Sequence, residues 1–288
     1  MILDPTKTYL EWNGTTFPNS SDATFKAPAG STIDWGDGTV QTFDTIDTNI
    51  TTHTYSDGKT EHTIAISGLT SIGDNAFKNC SSLTSVTIGN SVTIIGTWAF
   101  YNCSSLTSVT IPNSVTTIGN GAFPLCTSLK SITIPNSVTI IGAAAFINCI
   151  SLTSITVPDS VTSIGNHAFK NCSSLTSVTI GNGVTSIGTS AFLNCDSLKT
   201  IILFPETPPT LGSTDAIPTT ISAIYVQQSS KEAYKTATTW AKYADKIEAN
   251  NIYLSLIRFN KKNKEYIDKK ILEATEALLA RITALENK

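Results

Sequence analysis

The amino-acid sequence predicts an α+β repeat solenoid with a 23-residue period. An N-terminal β-sandwich is expected before it and a C-terminal helical coiled-coil tail after it. Three observations carry this expectation. First, an Ala-Phe pair recurs with its Phe at Phe77, Phe100, Phe123, Phe146, Phe169 and Phe192. Cysteines recur in the same register at Cys80, Cys103, Cys126, Cys149, Cys172 and Cys195, and both series step by 23 residues without a slip. A fixed period of that length is the signature of a solenoid. Second, the residues before the array form short alternating runs broken by Asp-Gly turns, the pattern of β-hairpins. Third, residues 247–288 are rich in Lys, Glu, Ala, Leu and Ile and contain neither Gly nor Pro.

Composition bounds the function. The chain has 288 residues, of which 40% are hydrophobic and 14% charged, so it is globular but poor in charged surface. A net charge of −3 argues against a nucleic-acid binder, which needs a basic stripe to neutralise phosphates. No apolar run approaches the ~20 residues that cross a bilayer, so no membrane insertion is expected. The start, MILDPTKTYLEWNGTTF, lacks the basic and apolar regions of a secretory signal. Either a signal has been removed, or the protein leaves the cell another way, such as lysis with a virus particle.

Residues 1–67 form the first expected unit. Alternating stretches such as residues 32–35 and 62–66 lie between turns at Gly30, Gly38 and Gly58. Trp35-Gly36-Asp37-Gly38-Thr39 followed by His53-Thr54-Tyr55 resembles the WGDGT…HTY pattern of PKD-type β-sandwich domains. Such domains are mostly spacers and interaction modules. Asp34 and Asp37 read as turn residues, and Trp35 and Tyr55 as core.

Residues 68–204 form the array: a half repeat, five full repeats beginning at Leu83, Leu106, Leu129, Leu152 and Leu175, and a last strand over residues 198–204. In the first full repeat Leu83, Val86, Ile88, Val92, Ile95, Ala99, Phe100 and Cys103 are apolar, and the others keep those places. Leu-x-x-Val-x-Ile reads as an inward-facing strand. The glycine after the second isoleucine (Gly96, Gly119, Gly142, Gly165, Gly188) is expected to supply a backbone angle other residues avoid. Ala-Phe-x-Asn-Cys is expected to form a short helix or 3₁₀ turn. Stacked turns then build one continuous core. The six cysteines read as buried thiols rather than disulfides, because equivalent side chains point the same way. No Cys pair has zinc-finger spacing, and no cofactor or metal is expected. Over about residues 62–204 these motifs resemble the BspA-type leucine-rich repeat family. That resemblance implies binding rather than catalysis, since the family is typical of surface adhesins and similar arrays occur on phage particles.

Two faces are candidates for recognition. The outward strand positions are Ser85 and Thr87, Ser108 and Thr110, Ser131 and Thr133, Ser154 and Thr156, Ser177 and Thr179. This invariant hydroxyl ladder is either a set of good strand formers or a surface for a repetitive ligand, a glycan chain or an ice lattice. Variation concentrates near the Ala-Phe segment, where Trp98 and Tyr101 lie three apart and share a face if the segment is helical. They either bind a ligand or pack on a neighbour. The asparagines before the cysteines (Asn79, Asn102, Asn148, Asn171, Asn194) are expected to cap backbone groups, and Leu125 breaks that series.

Residues 205–249 read as a C-terminal cap: a Pro- and Thr-rich loop, a strand over residues 221–226, and an amphipathic helix over 230–246. The segment 224–247 resembles the cap of BspA-like arrays. In residues 250–288, Ile271, Leu278 and Leu285 take d positions and Thr275 and Ile282 take a. Self-association as a trimer or dimer is expected there, with packing back on the body as the alternative. No nucleophile motif, phosphate loop or His-carboxylate cluster suggests an enzyme. The expected function is a non-catalytic, oligomeric display protein. A phage virion fibre or decoration component is the first form, contacting a host-surface glycan or protein and possibly other virion proteins. A secreted bacterial cell-surface adhesin and a purely structural virion assembly protein are the alternatives. Its place is the virion or the extracellular cell surface.

Overall fold

The structure, a computed structural model, describes residues 4–5, 7–13, 16–17, 31–42, 53–57, 59 and 61–249. The N-terminal part contributes β1 (Thr8–Asn13), β2 (Thr16–Phe17), β3 (Thr32–Asp34), β4 (Val40–Thr42), β5 (His53–Thr54) and β6 (Glu61–Ile66). The array follows with β7 (Ser71–Ile72), β8 (Leu83–Thr87), β9 (Ile94–Ile95), β10 (Ser108–Thr110), β11 (Thr117–Ile118) and β12 (Ile140–Ile141). It continues with β13 (Ser154–Val157), β14 (Ser163–Ile164), β15 (Ser177–Ile180), β16 (Ser186–Ile187) and β17 (Thr200–Leu203). The cap supplies β18 (Thr210–Leu211), β19 (Ala223–Val226), α1 (Lys231–Thr236) and β20 (Ile247–Ala249).

Each copy crosses three walls. The long strands form the first, with β8 parallel to β10 and β13, β15, β17, β19 and β20 parallel in that order. Their registers match equivalent residues, Ser85 to Ser108 and Ile155 to Val178. The short strands form the second wall, seven parallel members from β7 to β18. Between the walls every inward Leu, Val, Ile, Ala, Phe and Cys of the array is buried. The phenylalanines stack down the axis, as in Phe100–Phe123 at 5.0 Å and Phe146–Phe169 at 5.3 Å between centroids.

The third wall consists of single turns where a short helix or 3₁₀ turn was expected, with i→i+3 bonds such as Lys78 N–H to the Asn75 carbonyl at 3.0 Å. The Ala-Phe segments are turns with two left-handed residues per copy. One precedes Ala-Phe (Asn75 φ 57°, Trp98 φ 53°, His167 φ 59°) and one precedes Cys (Asn79 φ 61°, Leu125 φ 59°, Asn194 φ 59°). Alternating handedness aims every second N–H along the stack. Asn75, Phe77 and Asn79 donate to the carbonyls of Thr97, Ala99 and Tyr101 at 2.9, 2.7 and 2.7 Å. A helix would keep those donors inside its own turn.

Two further expectations are corrected. None of Gly96, Gly119, Gly142, Gly165 and Gly188 has positive φ. Their role is close approach: a Cβ on Gly142 would lie 2.5 Å from the Gly119 carbonyl carbon. The asparagines before cysteine occupy the left-handed position, and their side chains bond each other rather than the backbone. Asn102 donates to Asn79 at 3.1 Å and Asn171 to Asn148 at 2.7 Å.

The N-terminal strands do not stand apart as a sandwich among the described residues. β1 inserts antiparallel between β6 and β8, giving one sheet in the order β10-β8-β1-β6-β3-β4. Leu10 on β1 pairs with Ile64 and Val86 and is fully buried, so β1 also covers the open edge of the first wall. The turn residues behave as expected. Asp34 accepts from the Gly36 N–H at 3.0 Å, and Asp37 accepts from the Thr39 N–H at 3.0 Å. Asp37 also lies 2.7 Å from His53 Nε2, and the His53 ring stacks on Trp35. The hydrogen bond from the Thr39 hydroxyl, aided by His53, holds the Asp37 carboxyl down at about 2.

At the other end the expected single helix over 230–246 is broken into α1 and flanking 3₁₀ turns. The chain is extended at Ala237 (ψ 129°), and the break turns three aromatics inward. Tyr234 donates to the Pro205 carbonyl at 2.9 Å, Trp240 to that of Pro209 at 2.7 Å, and Tyr243 to that of Ile217. The proposed coiled-coil positions Ile271, Thr275, Leu278, Ile282 and Leu285 lie outside the described residues.

Candidate functional site

The first wall displays the hydroxyl ladder as its alternation requires, Leu-Val-Ile inward and Ser-Thr outward. Rungs of parallel strands are ~4.8 Å apart. Other threonines satisfy the fold: Thr107 donates to the Thr84 carbonyl at 3.0 Å, and Thr116 to that of Thr93 at 3.3 Å. None of the ten ladder hydroxyls bonds within the described residues. They remain available to solvent or a ligand.

The ladder is uniform in sequence but not in shape. Residues 131–134 of the third copy pair with neither neighbouring strand. Here Ile132 and Ile134 are 7% and 6% exposed, where Val178 and Ile180 are 0%. The gap forms a hollow of about 590 Å³ whose lining includes Ser131, Thr133, Ser154, Thr156 and Thr179 together with Asn136, Asp159 and Phe204. Half of the ladder thus surrounds one concavity. Ser85, Thr87, Ser108, Thr110 and Ser177 continue the same face outside it. Phe204, with Ile202 and Tyr225, forms an apolar step where the ladder ends. The sequence signals this step, because Ile202 stands where Thr179 stands one rung earlier. Nothing in the sequence of residues 131–134 signals the hollow.

Trp98 and Tyr101 do come together, on the third wall, with ring centroids 6.5 Å apart. Trp98 is 49% exposed. Its indole lies over Gly121, where a Cβ would come within 2.3 Å of Trp98 Cδ1. The Lys78 ammonium lies 5.9 Å from the Tyr101 ring centre. The two surfaces share no residue.

The cysteine column is structural. Each thiol from Cys103 to Cys195 donates to the Phe carbonyl of the preceding copy, as Cys103 does to Phe77 at 3.1 Å. Burial pushes the Cys80 and Cys149 thiols up to about 12. Among the described residues no group of three or more His, Cys, Asp or Glu side chains could hold a metal ion. No helix among them is long and apolar enough to cross a membrane.

A stacked array with two side-chain surfaces and a cap at either end is a repeat solenoid. The chain belongs to the BspA type leucine-rich repeat family, whose six-copy pattern matches residues 48–175 and 125–237. It is similar to the crystal structure of a leucine-rich repeat protein from T. pallidum. The two share 30% identity at a TM-score of 0.50, over 58% of this chain and 76% of that one. A leucine-rich repeat protein from Bacteroides ovatus shares 30% identity at a TM-score of 0.44, over 61% of this chain and 46% of that one. A leucine-rich cell surface protein from Faecalibacterium prausnitzii shares 25% identity at a TM-score of 0.30, over 62% of this chain and 63% of that one. Among curated proteins none matches the chain.

Proposed function

We propose that this protein is a non-catalytic surface-display and adhesion protein that binds glycan through the first wall. The single observation behind this reading is the row of unbonded hydroxyls opening into a hollow of about 590 Å³, within the size range of small-ligand sites. Hydroxyls, an amide and a carboxylate together with apolar Ile132, Ile134, Val157 and Phe204 suit a neutral sugar, which offers hydroxyls on its edges and C–H groups on its faces. The hollow also interrupts the flat array that an ice lattice would require. Of the two carriers the sequence suggests, the surface adhesin accords with the family's typical members, and a virion fibre or decoration protein is the finer alternative. Residues 250–288 would add valency by self-association. A glycan array with the intact protein and with Thr156→Trp, which fills the hollow, tests the reading. Binding of a neutral glycan by the first and not the second is expected. The reading fails if no glycan binds, or if the filled hollow binds equally well. Light scattering with and without residues 260–288 tests the tail, and an unchanged mass rules self-association out.

A further inference from the structure

The Trp98 surface has features that the repeat itself does not demand. Its backbone position is left-handed in every copy, and glycine, as at Gly121, or asparagine, as at Asn75, occupies such a position at low cost. Tryptophan there is a poor conformational choice, and its ring is left 49% exposed. Room for the ring comes from Gly121 in the next copy. Tyr101 flanks it, and Lys78 brings a positive charge to the Tyr101 ring. The nearby Asp74 carboxylate accepts a hydrogen bond from the Thr97 N–H at 2.6 Å.

We propose that Trp98, Tyr101 and Lys78 form a second binding site, for a saccharide that carries a carboxylate. Aromatic faces are electron-rich, and the C–H face of a pyranose ring is polarised positive, so the two stack. The Lys78 ammonium then pairs with the carboxylate on the ring's edge. A protein anchor is the weaker occupant, because interface hot spots lie in desolvated pockets and Trp98 stands open. The proposal uses none of the residues of the hollow, so it stands or falls apart from the first-wall reading.

Isothermal titration with trigalacturonate, its methyl ester and cellotriose tests it. The wild type is expected to bind trigalacturonate at least about tenfold more tightly than either neutral sugar, about 1.4 kcal/mol. Trp98→Asn, which the left-handed backbone accepts, and Lys78→Gln are each expected to weaken trigalacturonate by about tenfold or more. Thr156→Trp should leave that affinity unchanged. Equal binding of the methyl ester, retained affinity in Trp98→Asn, or no binding of trigalacturonate overturns the proposal. So does a wild-type dimer that Trp98→Asn dissolves, which would make this surface a self-interface.

Discussion

Leu125 holds a left-handed backbone (φ 59°) that every equivalent copy gives to asparagine. It also interrupts the amide ladder, which runs from Asn79 to Asn102 and resumes from Asn148 through Asn171 to Asn194. Leu125→Asn would relieve a conformation that costs most side chains ~1–2 kcal/mol and restore a partly exposed amide hydrogen bond of ~1 kcal/mol. Against this stands the loss of a half-buried apolar side chain. The expected net gain is about 1 kcal/mol in urea unfolding, and a loss of stability would mean that Leu125 packing outweighs the ladder. The break in the asparagine series was legible in the sequence, but its meaning was not, because left-handed backbone has no one-letter code: four residues earlier in each copy it is held by Asn, Trp, Gly, Ala, His and Ser. The thiols make a second case. Burial moves Cys80 from the ordinary thiol value of 9.0 up to about 12, and Cys103 and Cys126 are also raised by burial. The fold favours the neutral form, so this contribution is complete below pH 9 and is lost as pH rises from 9 toward 12. Melting temperature should therefore fall steeply above pH 9, and the native protein at pH 8 should resist thiol reagents until denaturant is added. Rapid labelling of the native protein would show that the column opens.

The rung as an element is held by backbone proximity as much as by side chains. The glycine of each rung was visible at its fixed spacing, yet a sequence cannot distinguish a residue chosen for φ from one chosen for the absence of Cβ. Gly142 shows which applies: an added Cβ would meet the Gly119 carbonyl carbon at 2.5 Å and the Asn120 nitrogen at 2.6 Å. Backbone atoms shared by two hydrogen-bonded rungs cannot retreat separately. Gly142→Ala should therefore destabilise by about 3 kcal/mol, at the upper end of overpacking. A loss below about 0.5 kcal/mol would show that the rungs can spread. The same closeness explains why the Ala-Phe segment is not a helix. Its apolar pair and its small residues suit either state, and the decision belongs to the neighbouring rung, which takes its N–H groups. The hollow was hidden for a related reason. The segment 131–134 repeats the pattern of its neighbours, so the parting of that strand is a property of the stack.

For the whole molecule, energy and solubility divide between the rungs and the ends. Each copy touches only its neighbours, so removing one complete copy in register should leave a shorter but intact array. Deletion of residues 152–174 joins two equivalent positions and keeps every wall continuous. The ends are different. β1 covers β8 at the start, and β19 covers β17 at the finish while Trp240 and Tyr243 pin the loop that closes the core. A chain ending at residue 204 would present the open edge of β17 together with Leu198 and Ile201, which are fully buried in the complete protein. Such an edge is a template for pairing with another chain. The internal deletion should thus remain soluble and unfold cooperatively at a temperature a few degrees lower, by about 2–8 °C if one rung contributes ~1–2 kcal/mol. The chain without its cap should elute in the void volume of a sizing column. If instead the capless chain stays soluble with an unchanged melting temperature, the aromatic cap is a decoration and the array closes its own end.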